Sequence, residues 1–213
     1  MKDILKVVIT GGPCAGKTTA MKMLEEKLME RGNAVVFVDE TATHLLKAKI
    51  RPFGDEKERI PLKVFQRLIL KEQLAKEDII LEGASAIPND NVIILFDRGA
   101  LDNRAYLEDW EFDELMEEAG VTEEELLNRY DIVIHLVSTA IDKEECYENN
   151  EERKEPPEKA RFLDVRTVGT WSKHPNHIVI FNDGTLEEKI NLAANQIFNY
   201  QEQNSTPKIY QKK

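Results

Sequence analysis

Apolar positions along this chain fall into short continuous runs that alternate with longer stretches repeating every third or fourth residue. The first pattern suits buried strands, the second one face of a helix. Leu5 to Thr10 reads as the first strand, followed by a glycine-rich turn and the helical pattern Met21, Met23, Leu24 and Leu28. Ala34 to Val38 reads as the second, bounded by Gly32-Asn33 before it and Asp39-Glu40 after it. From Pro61, the spacing of Val64, Phe65, Leu68, Ile69 and Leu74 predicts one long helix continuing to Leu81, before Pro88-Asn89-Asp90 breaks the pattern. Val92 to Phe96, Asp131 to Val137 and His177 to Phe181 supply strands three to five, with charged helical segments between them. Such alternation predicts an α/β fold on a parallel sheet of five strands. The length suits one domain, residues 1–203, ending in a tail over 204–213 that carries Pro207 and terminal lysines.

Composition narrows the partners. A net charge of −11 argues against duplex-DNA binding, which needs a basic footprint to displace phosphate counterions, so no nucleic acid is expected. The longest apolar stretches are far below membrane-spanning length, so no transmembrane segment is expected either. Met1 to Lys6 turns directly into an apolar strand without the h-region of a secretory signal, which predicts a cytoplasmic location. Two cysteines, Cys14 and Cys146, form no disulfide framework and read as reduced thiols.

The first strand runs into Gly11-Gly12-Pro13-Cys14-Ala15-Gly16-Lys17-Thr18, which satisfies GxxxxGK[ST]. Glycines there let successive backbone N–H groups turn toward phosphate oxygens, and the following helix adds its positive N-terminal end. Lys17 supplies a mobile charge for the β and γ phosphates, and the Thr18 hydroxyl can ligate Mg²⁺. Thr19 extends the cofactor-binding set by one position, although alone it reads as an ordinary first-turn residue. Cys14 reads as a small filler, because a nucleophile would need a base beside it. ATP or GTP with Mg²⁺ is the expected cofactor.

Ligands of open parallel sheets gather at the carboxyl ends of the strands. The third strand ends in Asp97-Arg98-Gly99, placing a carboxylate where Mg²⁺ would be held and an arginine within reach of a phosphate; a plain strand-end salt bridge is the alternative. The second ends in Asp39-Glu40, where Glu40 can accept a proton from an attacking hydroxyl, unless one of the two merely caps a helix beginning at Thr41. Lys143 to Arg166 is dense in charge, with Arg153, Lys154, Arg161 and Arg166 beside Pro156-Pro157, and reads as an arginine-bearing lid.

These segments together resemble a family of small P-loop kinase-like proteins, catalogued as AAA-type ATPase domains. That family includes the ribosylnicotinamide kinase domain and the GTP-binding domain of TRPL translocation defect proteins. The resemblance is carried by ITGGPCAGKTT from Ile9, Asp39-Glu40, Phe65-Gln66, FDRGALDNRAY from Phe96, Asn150 to Arg153, Ala160 to Asp164 and WSKHPNHIVIFN from Trp171. Similarity to nucleoside and thymidylate kinases implies a three-layer sandwich with strand order 2-3-1-4-5. It also supports the roles of Asp97, Arg98 and Arg153 and implies an acceptor-ring contact for Gln66; the expected catalytic set is then Lys17, Glu40, Arg98 and Arg153, the Mg²⁺ ligands Thr18 and Asp97, and Asn182 joins the nucleotide-binding residues.

Two activities remain in view. One is transfer of the γ-phosphoryl of ATP to a hydroxyl of a nucleoside-like small molecule. The other is a nucleotide-dependent regulatory switch. The chain has neither an NKxD nor a DxxG motif, so a Ras-like GTPase is disfavoured, while the resemblance leaves GTP binding open.

Overall fold

The computed structural model describes residues 3–142 and 156–204. Its sheet contains β1 (Asp3–Thr10), β2 (Ala34–Val38), β3 (Asn91–Asp97), β4 (Ile132–Leu136) and β5 (His177–Ile180). The order is β2-β3-β1-β4-β5, as the resemblance implies, and every pairing is parallel. Around it lie α1 (Lys17–Glu30), α2 (Thr41–Lys47), α3 (Leu62–Ala86), a 3₁₀ segment (Ala100–Tyr106), α4 (Asp109–Ala119), α5 (Glu123–Asn128), α6 (Thr139–Asp142), α7 (Pro157–Thr170) and α8 (Leu186–Asn204).

Side chains alternate across the pleat, so each strand divides its apolar residues between two cores. Val7 and Ile9 of β1, with Ile93 and Leu95 of β3, pack against Leu24 and Leu28 of α1 and Ile190 and Ile197 of α8. Val8, Ile94 and Phe96 face the opposite way, onto Leu70 of α3, Phe112 of α4 and Trp171. These strands are covered on both faces, which is why they read as continuous apolar runs. The three layers follow from that double coverage.

Most element boundaries differ from the sequence pattern by one or two residues, and the ends of α3 and β5 illustrate why. Helix α3 runs on to Ala86, because no breaker intervenes until Ile87 turns extended ahead of Pro88. Strand β5 stops at Ile180 and leaves Phe181 59% exposed. Of the stretch expected as a lid, Arg153 and Lys154 lie outside the described residues. From Pro157 onward it is α7, anchored by buried Ala160, Leu163 and Asp164.

The topology places the site. Strand β1 sits centrally between β3 and β4, and Asp97 is the register partner of Ile9, two residues ahead of the glycine-rich turn. The next strand toward the edge, β2, delivers Glu40 at the same end.

Candidate nucleotide and acceptor site

Gly11 and Gly16 adopt φ of 144° and 80°, and Cys14 sits at φ 58°. A side chain at Gly11 would put a Cβ 2.2 Å from the Leu136 carbonyl oxygen, so only glycine lets the loop pass β4. Gly16 precedes α1 without any side-chain cap. The first N–H groups of that helix therefore point out of its end, the arrangement that suits an anion. Pro13 brings no N–H and is held from behind by the Ser138 hydroxyl, which donates to its carbonyl. Lys17 Nζ lies back across the loop, donating to the carbonyls of Gly11 at 3.2 Å and Gly12 at 3.1 Å. Thr18 and Thr19 are exposed at the helix start.

The loop is gripped from beneath by a residue to which the sequence reading gave no role. Asp164 Oδ1, on α7, accepts the Gly12 N–H at 2.6 Å and the Ser138 N–H at 3.1 Å, and faces His135 Nε2 at 3.2 Å. Burial pushes this carboxyl's pKa up, but His135 and the two backbone N–H groups outweigh that and hold it below its ordinary value. Asn182 Nδ2 donates to the Ser138 carbonyl at 3.1 Å, and its Oδ1 accepts from buried Lys189 at 2.7 Å. Its bonds therefore run to the β4 end behind the loop.

Arg98 joins the loop to what lies beside it. Its Nη1 donates to the Gly11 carbonyl at 3.1 Å, its Nε pairs with Glu40 Oε1 at 2.8 Å, and Asp102 Oδ2 lies 3.5 Å from Nη1. Burial alone would lower its pKa, yet Tyr106, Glu40 and Asp102 together raise it above the ordinary arginine value. The solvent-facing salt bridge weighed as the alternative at this strand end is not what forms around Arg98: it pairs with Glu40 of the neighbouring strand end, and with side chains only 10% and 14% exposed this is an interior pair. Glu40 sits at the N-cap of α2 yet makes no capping bond to its backbone; it accepts from the Thr43 hydroxyl at 2.6 Å.

The backbone at Arg98 is left-handed, φ 73°, a conformation that costs an L-residue with a Cβ about 1–2 kcal/mol. A buried network holds it. Gln73 Nε2 donates to the Arg98 carbonyl at 3.3 Å and to Glu77 at 2.8 Å, while Thr41 donates to Gln73 Oε1. Tyr130 donates to Glu77 at 2.7 Å and accepts the Ala100 N–H at 2.7 Å, and Arg129 closes the group at 2.7 Å from Glu77. Asp102 is fixed by Thr10 at 2.7 Å and by Trp171 Nε1 at 2.6 Å. The closest sequence signal for Asp102 was its position four residues after Arg98; Gln73, Glu77 and Tyr130 looked like ordinary helix and strand-end residues.

A family model described as an AAA domain matches residues 6–189. The chain belongs to this AAA-domain family. No curated protein matches it. Membership and the loop geometry together make the chain a P-loop nucleotide-binding domain.

Next to the phosphate loop this AAA domain encloses a cavity of about 430 Å³, with Glu40 and Arg98 in its lining and Phe53, Phe65 and Phe162 among its apolar walls. Two polar atoms there, Arg98 Nη2 and Gln66 Oε1, are buried without a hydrogen-bond partner among the described residues. Cavities of this size with few convergent polar groups are the usual form of small-molecule sites. Of the lid arginines, Arg161 donates to the Ala140 carbonyl at 3.0 Å and Arg166 to that of Leu107 at 2.6 Å. No helix among the described residues is long and apolar enough to cross a membrane.

Proposed function

We propose that this AAA domain is a Mg²⁺-dependent phosphotransferase that moves the γ-phosphoryl group of ATP or GTP to a hydroxyl of a small nucleoside-like acceptor. The observation that carries this reading is Arg98, one guanidinium bonded both to the Gly11 carbonyl of the phosphate loop and to Glu40 in the wall of a ligand-sized cavity.

In this mechanism the loop N–H groups and the start of α1 hold the phosphates, and Lys17 follows the β and γ oxygens as charge develops. The acceptor hydroxyl lies against Glu40, which takes its proton as the oxygen attacks phosphorus. Arg98 Nη2 steadies the charge on the transferring group. Thr18 and Asp97 offer hard oxygen ligands at neighbouring strand and helix ends, which fits Mg²⁺ shared with phosphate oxygens. When bound, Mg²⁺ would neutralise the developing charge on the β–γ bridge. Asn182 supports the loop from behind through Ser138.

Glu40→Gln tests the reading. Acceptor-dependent consumption of nucleotide should fall by about 10²- to 10⁴-fold, the usual contribution of a general base, while nucleotide affinity stays within a few-fold. Undiminished transfer by the folded variant would remove Glu40 from the chemistry.

A further inference from the structure

We infer that Asp164 is a positioning residue that acts with Arg98 as a two-ended clamp on one peptide unit of the phosphate loop, so that nucleotide binding steadies the loop and the cavity walls together. Such a clamp needs only nucleotide in the loop, and it operates whether or not a phosphoryl group is transferred.

The carbonyl of Gly11 and the N–H of Gly12 belong to the same planar peptide. Arg98 Nη1 donates to that oxygen at 3.1 Å, and Asp164 Oδ1 accepts that N–H at 2.6 Å. The cation stands at the negative end of the peptide dipole and the carboxylate at its positive end, so both bonds are charge-assisted. Burial opposes the charge on Asp164, but His135 and the Gly12 and Ser138 N–H groups outweigh it and keep this carboxyl ionised. Gly11, at φ 144°, and Gly12 carry no side chain to resist rotation of the plane between them. Half a turn of that plane would aim the carbonyl at the carboxylate and the N–H at the guanidinium, reversing both attractions. The clamp therefore selects one orientation of the one loop peptide with glycine on both sides.

Nucleotide changes what else holds this peptide. Lys17 Nζ donates to the Gly11 and Gly12 carbonyls. Once it turns to the β and γ phosphates those bonds are given up, and the clamp is what keeps the peptide in place. The next loop residue depends on the same carboxylate, because Ser138, whose N–H shares Asp164 Oδ1, donates its hydroxyl to the Pro13 carbonyl.

Both ends of the clamp rest on walls of the cavity. Arg98 lines it directly, and Leu163, the residue before Asp164 on α7, lines it together with Phe162 and Arg166. Leu163 and Asp164 are both buried, so close packing lets neither shift without the other. A loop without the clamp samples the reversed peptide as well, and its apparent nucleotide affinity falls with the fraction left competent. By linkage, bound nucleotide in turn steadies α7.

The test uses the full chain with Mg²⁺ and N-methylanthraniloyl ATP or GTP to read affinity. Hydrogen exchange of residues 157–170 is then compared with and without saturating nucleotide. In the wild type, nucleotide should slow exchange along α7. Asp164→Ala should raise the nucleotide Kd about 10-fold or more and abolish that slowing even at saturation. Asp164→Asn keeps an oxygen for the Gly12 N–H but loses the charge, and should fall between the two in both measurements. Slowing that survives in saturated Asp164→Ala would come from direct contact with nucleotide and overturns the clamp, as does an unchanged Kd. Should Asp164→Ala not fold, the other two proteins decide: a wild-type α7 indifferent to nucleotide, or an Asp164→Asn variant indistinguishable from wild type, overturns the clamp. Each of these failures leaves the phosphotransferase reading standing, whereas a folded wild type that binds neither nucleotide overturns both.

Discussion

The phosphate loop and the cavity beside it are assembled in opposite ways. The loop is a continuous segment whose binding groups are backbone N–H donors, and its shape comes from glycines at φ values that few other residues adopt. The cavity takes Glu40 from the end of β2, Gln66 and Gln73 from α3, Arg98 from the end of β3 and Phe162 from α7. Its binding groups are side chains aimed by partners far away in sequence, such as Trp171 on Asp102 and Tyr130 on Glu77. A site made of backbone tolerates change in most of its side chains. A site made of convergent side chains depends on each of them and on the turns that aim them, and the strained turn at Arg98 is where the two meet.

The sharpest way to separate the regions is Lys17→Ala. Nucleotide turnover should fall at least about 100-fold, from the loss of roughly 3 kcal/mol or more of transition-state stabilisation, with the melting temperature little changed. Turnover surviving in the folded variant would mean that the loop's charge is supplied from elsewhere.

Gly12→Ala probes how closely the loop is seated on α7. The new Cβ would lie 2.7 Å from Asp164 Oδ1 and 3.1 Å from the Asp164 Cα. A loss of about 1–3 kcal/mol in denaturant unfolding is expected, with weaker nucleotide binding. Wild-type stability would show that α7 yields and that the grip of Asp164 is loose.

Tyr130→Phe acts on the other region only. It deprives the Ala100 N–H of its acceptor and Glu77 of a donor, both in the interior, at a cost of about 1–2 kcal/mol in stability. Acceptor KM should rise while nucleotide affinity holds. Equal damage to both affinities would show that the two regions share one support.

The smallest effect is in the pH dependence. Burial, and then the nearby His135 and His174, lower the His177 pKa from 6.5 to about 4. The unfolded chain therefore binds more protons between these values, and stability falls as pH drops from about 6.5 toward 4. His177→Gln should remove about 1 kcal/mol of the stability lost across that pH range, once solvent screening at this partly exposed ring is allowed for. An unchanged slope would assign the acid sensitivity to other groups.

The contrast between the regions also decides what could be read from the chain. The strands, the glycine loop with Lys17 and Thr18, and the acidic strand ends are local features, because strand burial and loop geometry depend on residues next to one another. Asp97 and Glu40 lie at the same end of the sheet, as alternation of strands with helices implies. The partners of Glu40 were not visible. Arg98 faces it across 58 positions of sequence, and only the order β2-β3-β1 brings them to 2.8 Å. Asp164 stood in a segment that carries the resemblance but had no role of its own among the charges of that stretch, yet packing α7 against the end of β4 seats it under Gly12.

By itself, the sequence determined that this chain is an α/β domain with a P-loop, since those properties reside in periodicity and in a contiguous motif. The tertiary structure alone decided that Arg98 is an interior residue shared by loop and cavity, that Asp164 and Asn182 secure the loop from behind, and that two orphaned polar atoms face one apolar hollow. The physical reason is that a hydrogen bond or ion pair acts only over a few ångströms, and which distant residues come that close is a property of sheet order and helix packing.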